Sequence, residues 1–307
     1  MSVMSVQYLL ERLGPSIAHP TNCNEALTPL QQILLTLHWL GSGCQYHGVG
    51  SMHGVSKSSI CRCVNRVCTY ISQQLLGEEV VWPQNANAVA EGFFAIAGMP
   101  RIAGAIDGTL IPIEAPSVNE ESFVDRKGLH SINVMLVAGA DYRFYAINSN
   151  FPGSVHDSRV LQCSHMYNKW QNELWRPFPG AIVIGDSAYP LKKWLFTPNI
   201  PASIGEGRAA NIFLAKLKKT RQVVECSLGQ LKEIFPCLNG LRLKTPISCA
   251  IVINACVTLY NIRKRMSPEI NSVFQNDDND VEDLEIHEDH NANDAVEDLR
   301  SYINFFN

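Results

Sequence analysis

The stretch that decides the fold is residues 102–116, IAGAIDGTLIPIEAP. It is a largely apolar run with an acid, Asp107, near its middle. Apolar and β-branched residues bounded by glycine and proline predict a β-strand. An isolated carboxylate inside such a strand is costly to bury unless a cation or another partner compensates it. We therefore expect a strand that carries a functional acid.

Two further strands are predicted directly downstream, over HSINVMLVAGA (130–140) and YRFYAINSNFP (142–152). Short turns between successive strands favour an antiparallel meander. The next segment, SVHDSRVLQ (154–162), begins a helix, and AIVIGDSAYP (181–190) is typical of a buried parallel strand. A basic amphipathic helix follows over residues 215–235, AKLKKTRQVVECSLGQLKEIF.

Three more acids lie in these elements: Asp157 at a helix start, Asp186 after the fourth strand and Glu225 on the later helix. Carboxylates are the ligands that hard divalent cations prefer, and paired cations stabilise both the attacking and the leaving oxygen of a phosphodiester. The four acids together predict an oxygen-ligand site for two Mg²⁺ or Mn²⁺ ions. Each acid taken alone is equally typical of an N-cap or a turn.

Charge is segregated along the chain, so the net charge of −4 is misleading. Residues 277–298 hold 11 of the 29 acids and no Lys or Arg, whereas residues 1–276 carry 24 basic against 18 acidic groups. A mildly basic body is suited to a polyanionic partner. Residues 269–307 are expected to be an acidic, largely disordered tail, either solvated or autoinhibitory.

Residues 1–90 are predicted to form a helical unit. Thr28 and Pro29 begin one helix, and residues 49–76 indicate a short helix, a turn at Gly54 and a longer helix capped by Ser56. This is a helix-turn-helix-like pattern. Its second helix would present Lys57, Arg62 and Arg66 to DNA, although the same unit can serve as scaffold alone.

No segment is expected to cross a membrane. The most apolar run, SCAIVINACVTLYNI (248–262), is better suited to a buried helix, and the N-terminal residues lack a basic leader and a cleavage site. A soluble protein without membrane contact is the expectation.

Four motifs together resemble the PIF/Harbinger transposase superfamily of the DDE type, over about residues 28–265. The resemblance implies an α/β fold: an RNase H-like catalytic domain, a mixed sheet flanked by helices, over residues 91–268. It implies Asp107, Asp186 and Glu225 as the catalytic triad and Asp157 as a further metal ligand. The implied reaction is divalent-metal-dependent cleavage of DNA. The motifs are GAIDGTLIPIEAP (104–116), INVMLVAGADYRFYAINSNFPGSVHDSRVL (132–161), GDSAYPLKKWLFTP (185–198) and VVECSLGQLKEIFPCL (223–238).

The position of Glu225 in this resemblance places the basic residues before it along the DNA groove, where phosphates would meet Lys218, Lys219 and Arg221. Relatives act with a separate Myb/SANT-like DNA-binding protein, so we expect such a partner, a nuclear and cytoplasmic location, and compatibility with a homo-oligomer. The import-like cluster is Arg263, Lys264 and Arg265.

Two alternatives stay open. The chain departs from the family pattern at Leu214 and Leu217, where relatives commonly carry Asn and His. This departure favours a catalytically silent, domesticated DNA-binding protein that retains the fold, whereas the intact set of acids favours a nuclease. A metallophosphatase acting on a small substrate is disfavoured by the basic helices.

Overall fold

A computed structural model describes residues 1–20, 26–204, 207–267 and 292–306, and places a five-stranded mixed sheet at the centre of the protein. The spatial order of the strands is β3-β2-β1-β4-β5. The strands are β1 (Ile102–Pro112), β2 (Ser131–Ala138), β3 (Phe144–Pro152), β4 (Ile182–Ile184) and β5 (Leu195–Phe196).

The pairing of the strands follows the sequence prediction. β1, β2 and β3 form an antiparallel meander, and β4 lies beside β1 in parallel. The short β5, which pairs in parallel with β4, was not predicted. The predicted α/β class, a mixed sheet flanked by helices, is confirmed.

The helices lie before, between and after the strands. They are α1 (Val3–Ile17), α2 (Pro29–Ser42), α3 (Tyr46–His53), α4 (Lys57–Tyr70), α5 (Leu76–Glu79), α6 (Ala86–Ala97), α7 (Asp157–Gln162), α8 (His165–Tyr167), α9 (Arg208–Ile234), α10 (Pro246–Met266) and α11 (Ala292–Ile303). A π-helical turn, Ile71–Leu75, joins α4 to α5.

Both faces of the sheet are covered, because side chains alternate between two apolar clusters along β2. Val134 and Leu136 belong to the larger cluster, which extends to α9, α10 and the N-terminal helices. Met135 and Val137 belong to the smaller one, which includes Trp170 near α8. Period-two alternation with both faces buried explains why β2 reads as a continuous apolar run.

The N-terminal helices reproduce the predicted apolar stripe, but Arg66 is not fully exposed. Thr28 and Gln31 form a capping box at α2, and the buried stripe of α4 faces the core as expected. Lys57 and Arg62 are exposed, whereas the half-buried Arg66 donates a hydrogen bond to Gln32 Oε1 at 3.3 Å. Contact with DNA and the domain boundary at residue 90 remain predictions. The stripe comprises Ile60, Val64, Val67 and Ile71.

Helix α10 is long and apolar enough to span a bilayer by length and composition alone, which differs from the sequence expectation. Of its apolar window, 61% is buried inside the protein, as is usual for a core helix. At its C-terminal end Lys264 lies over the rings of Tyr142 and Tyr260, and Arg265 pairs with Glu79 at 2.6 Å. The cluster interpreted as an import signal therefore takes part in internal packing.

The prediction of a disordered tail over residues 269–307 is wrong for residues 292–306, while residues 268–291 lie outside the described chain. Helix α11 buries Ala295, Leu299 and Tyr302, and the Tyr302 hydroxyl donates to the carbonyl oxygen of Pro100 at 2.7 Å. These residues are spaced four and three apart, which places them on one helical face. The surrounding acids concealed that apolar stripe when composition alone was considered.

We expect Leu299→Ala to destabilise the protein by about 2–5 kcal/mol, because it removes a fully buried side chain and leaves a cavity. Urea denaturation measures the loss. Ser301→Ala, at an exposed position of the same helix, is the control and should change the free energy of unfolding by less than about 0.5 kcal/mol. Equal stability of the two variants would contradict the docking of α11.

Candidate active site

Strand pairing brings two of the predicted acids to the same level of the sheet. Ala105 on β1 is in register with Ile184, the last residue of β4, so the register directs Asp107 and Asp186, each two residues further along, toward each other, and the charge of Asp186 acts on Asp107. Asp186 stands in the turn after β4, and one of its carboxylate oxygens accepts from the backbone N–H of Ala188 at 3.1 Å. Because the chain returns after β3 to place β4 beside β1, the carboxylates of Asp107 and Asp186 come close together.

The consequence of this arrangement is a perturbed acid in β1. Burial raises the pKa of Asp107 to about 7, with the neighbouring Asp186 charge as the next cause; Arg221 opposes the rise, and Glu225 adds a smaller contribution. Both effects disfavour the ionised carboxylate. If Asp107 and Asp186 are both ionised, their negative charges therefore need a nearby positive charge to stabilise them.

Asp157 approaches from the opposite side of β1, over a glycine. A Cβ at Gly108 would lie 2.5–2.7 Å from the carboxylate atoms of Asp157, so only glycine leaves room for this side chain. The carboxylate is held by Asn133 on β2, whose Nδ2 donates to Asp157 Oδ1 at 2.6 Å and to the Val155 carbonyl at 2.7 Å. The Asp157 carboxylate is thereby fixed against Gly108, the residue that follows Asp107.

Glu225 projects from the middle of α9 and is less confined. Its side chain is 51% exposed and pairs with Arg221, one turn earlier, at 3.5 Å, while Arg221 is only 16% exposed. The influence of Glu225 and Arg221 on the pKa of Asp107 places both near the sheet acids. In this geometry the glutamate is paired with an internal cation.

The predicted acids therefore converge on one region without forming a closed cage. Within the residues described, no three His, Cys, Asp or Glu side chains are grouped tightly enough to hold one metal ion. Polar atoms around the acids are nevertheless buried without a hydrogen-bond partner in that same part of the chain: Asn133 Oδ1, Tyr189 Oη and Arg221 Nε. The four acids offer only carboxylate oxygens as ligands, and such ligands fit Mg²⁺ or Mn²⁺ better than softer metals.

The basic residues on α9 divide into two groups. Lys218 and Lys219 are exposed before Glu225, as predicted, whereas Lys216 turns inward and donates to the carbonyl of Ala97. Lys232, which the sequence interpretation overlooked, is half-buried near the site: burial and then Lys127 lower its pKa, and Asp107 opposes this. A positive charge therefore faces the acids from the C-terminal part of the helix.

Comparison with known proteins identifies the family of this chain. A family model described as "DDE superfamily endonuclease" matches residues 106–261, a range that contains all four acids. "Putative nuclease HARBI1" of Mus musculus is 32% identical over 264 residues, covering 84% of this chain and 73% of the relative. The Homo sapiens protein of the same name is 31% identical with the same coverage. No solved structure matches.

A more distant relative, "Protein ALP1-like" of Arabidopsis thaliana, is 25% identical over 268 residues, covering 80% of this chain and 64% of the relative. The chain belongs to the DDE superfamily endonuclease family. The resemblance inferred from the four sequence motifs is confirmed.

We expect Gly108→Ala to destabilise the protein by about 1–3 kcal/mol, because the added methyl group overlaps the Asp157 carboxylate. Thermal or urea denaturation measures this, with Gly229→Ala on α9 as control, since nothing lies within 4 Å of a Cβ at that position. In an Asp157→Ala background the penalty of Gly108→Ala should largely disappear. An equal penalty in both backgrounds would place the overlap elsewhere.

The pKa of Asp107 predicts a pH-dependent stability in chelator. Because the folded value, about 7, lies above the ordinary value of 3.8, the folded protein holds this proton more tightly than the unfolded chain. The free energy of unfolding should therefore fall as the pH rises from about 4 to about 7. Urea denaturation at pH 5 and pH 8 should show a smaller fall for Asp107→Asn than for wild type, and identical falls would contradict this.

Proposed function

We propose that this chain is a divalent-metal-dependent endonuclease that cleaves DNA phosphodiester bonds. The observation that carries the proposal is the placement of Asp186 near Asp107, whose ionised form is disfavoured both by burial and by the Asp186 charge. Two carboxylates kept together against their repulsion are typical of a site whose stabilising partner is a cation. Membership of an endonuclease family supplies independent support.

Under this proposal Asp107 and Asp186 would hold the cations, with Asp157 of α7 and Glu225 of α9 as further ligands. Two bound Mg²⁺ or Mn²⁺ ions would supply activation of a water or a 3′-hydroxyl and stabilisation of the leaving oxygen. The chain's own part is to orient the four carboxylates. Asn133 does this for Asp157 through a 2.6 Å hydrogen bond.

Glu225 has to exchange Arg221 for a cation. Half-exposed ion pairs of this kind contribute only about 0.2–1 kcal/mol, which is small beside the attraction between a divalent cation and several carboxylates. The Arg221–Glu225 pair is therefore no obstacle to metal binding. It instead keeps the glutamate oriented and leaves Arg221 close to where a phosphate would approach.

DNA is the proposed substrate because exposed cations precede one of the acids: Lys218 and Lys219 lie before Glu225 on α9. Two further cations, Lys57 and Arg62, are exposed on α4. Such residues bind phosphates without reading sequence and make affinity fall with salt. A Myb/SANT-like partner, a homo-oligomer and a nuclear and cytoplasmic location are carried by the family resemblance alone.

The second candidate function, DNA binding without cleavage, is favoured by one feature of the site. Glu225 faces Arg221, and no metal-holding group of three acids is formed in the described chain. Leu217, where relatives commonly have His, is buried in the core. Under this alternative the acids would bind Mn²⁺ weakly and duplex DNA would be bound but not nicked.

Nicking of supercoiled DNA in Mg²⁺ or Mn²⁺ tests the proposal, with Asp186→Asn as the variant. We expect nicking to fall by roughly 100-fold or more, because a ligand is lost while the shape of the side chain is kept. Glu91→Gln, at an exposed acid on α6, should nick as wild type does. In chelator, Asp186→Asn should melt higher than wild type because repulsion with Asp107 is relieved, and Mn²⁺ should stabilise wild type alone.

Each outcome of this experiment separates the candidates. A wild type that binds duplex DNA but neither binds Mn²⁺ nor nicks supports the non-cleaving alternative. Hydrolysis of nucleotide monoesters in place of DNA would indicate the phosphatase. An Asp186→Asn variant that melts lower in chelator and responds to Mn²⁺ as wild type does would make Asp186 a structural turn residue.

A further inference from the structure

Tyr189 stands three residues after Asp186, in the turn that leaves β4. Its ring is 1% exposed and packs in the smaller apolar cluster with Ile106 and Val183. A Cβ at Gly185 would lie 3.1 Å from ring atom Cδ2 and 2.9 Å from Ile106 Cγ2. The glycine therefore makes room for the ring against the strands, and Tyr189 has little freedom to move.

The hydroxyl at the end of this fixed ring has no hydrogen-bond partner among the described residues. Leaving a buried hydroxyl unpaired costs free energy, so buried tyrosines normally find a partner. The buried Tyr260, for example, donates to Gln230 Oε1 at 3.0 Å. The hydroxyls of Tyr189 and Tyr46 are both buried without a partner among the described residues, but only Tyr189 lies within the influence of the acids of the candidate site.

The hydroxyl of Tyr189 lies within the electrostatic influence of three carboxylates. Burial raises the pKa of Tyr189 well above its ordinary value, and the charges of Asp157, Asp107 and Asp186 raise it further, in that order. The phenol is consequently neutral at any physiological pH and keeps its proton available for donation. The Asp157 carboxylate lies against Gly108, which shares a face of β1 with Ile106, and Ile106 packs in the same cluster as the Tyr189 ring. We therefore take this carboxylate, on the same face of the strand as Tyr189, as the acceptor.

Asp157 already has one oriented neighbour. Asn133 Nδ2 donates to Asp157 Oδ1, while the other polar atom of this amide, Oδ1, is buried and unpaired in the part of the chain that the structure describes. Metal-binding carboxylates are typically held by hydrogen bonds from a second set of residues, and losing such a bond weakens binding. Tyr189 and Asn133 are placed to supply that set.

We propose that Tyr189 is a positioning residue of the acidic site, whose hydroxyl donates a hydrogen bond to the Asp157 carboxylate when divalent cations are bound. The inference rests on the proposed metal-dependent function and deepens it. It assigns Tyr189 no contact with DNA. It predicts that the hydroxyl matters for cation affinity and not for the stability of the cation-free protein.

The test is Tyr189→Phe, which removes only the hydroxyl. In chelator the variant should melt at the wild-type temperature or above, since an unpaired buried group is lost. Its affinity for Mn²⁺, measured by calorimetry, should fall about 10- to 100-fold, with a matching loss of Mn²⁺-induced thermal stabilisation.

Tyr260→Phe is the matched control, because Tyr260 on α10 is also buried but its hydroxyl already donates a hydrogen bond to Gln230. It should melt lower than wild type in chelator and bind Mn²⁺ unchanged. We thus expect opposite results for the two variants: loss of the Tyr189 hydroxyl should lower the affinity for Mn²⁺, and loss of the Tyr260 hydroxyl should lower the melting temperature.

A double variant with Asp157→Asn identifies the acceptor. If Tyr189 acts through Asp157, adding Tyr189→Phe to Asp157→Asn should reduce Mn²⁺ affinity much less than it does in wild type. Full additivity would overturn the assignment to Asp157. Wild-type Mn²⁺ affinity in Tyr189→Phe would overturn the inference while leaving the proposed function standing, whereas a wild type that binds no Mn²⁺ would overturn both.

Discussion

The repulsion between Asp107 and Asp186 is the constraint on which the rest of the site depends. Parallel pairing of β1 with β4 brings the two carboxylates near one another, and burial of Asp107 withholds the water that would screen its charge. A protein in this situation can protonate one acid, recruit an internal cation or bind an external one. The pKa of Asp107 near 7 and the proximity of Arg221 indicate that the first two operate in the absence of metal.

Accommodating so many polar groups beside β1 requires small residues in the strands. Gly108 leaves the space that the Asp157 carboxylate fills, and Gly185 leaves the space for the ring of Tyr189. In both places the absence of a side chain on one strand permits a functional side chain from elsewhere to approach. These glycines are therefore part of the site, although neither carries any chemistry of its own.

Most of the sheet and much of the candidate site could be predicted from sequence, for identifiable reasons. Long apolar strands and the stripe of α4 carry strong periodicity, and the acid in the middle of β1 stands out against apolar neighbours. The two-residue β5 exists only through its pairing with β4, which a local pattern does not express. Helix α11 did carry a signal, the spacing of Leu299 from Tyr302, but acidic composition outweighed it.

The supporting polar residues were harder to foresee, since their importance lies in what surrounds them. Asn133 reads as an ordinary polar interruption of β2, and Tyr189 as a core aromatic, until the buried environment reveals the atoms left unpaired. Arg66 shows the converse, because its helical position suggested an exposed cation while a long-range contact with Gln32 partly buries it. Tertiary contacts of this kind have no local signature in the chain.

The pairing of Arg221 with Glu225 connects the two ligands of the proposed function. A divalent cation would compete with Arg221 for Glu225, and a DNA phosphate would compete with Glu225 for Arg221. Each ligand therefore weakens the Arg221–Glu225 ion pair. A bound cation would leave Arg221 available to a phosphate, and a bound phosphate would leave Glu225 available to a cation. Two ligands that favour one rearrangement bind with positive coupling, and the coupling is reciprocal. Under the proposed function, cation affinity and DNA affinity would therefore be coupled through the Arg221–Glu225 contact on α9.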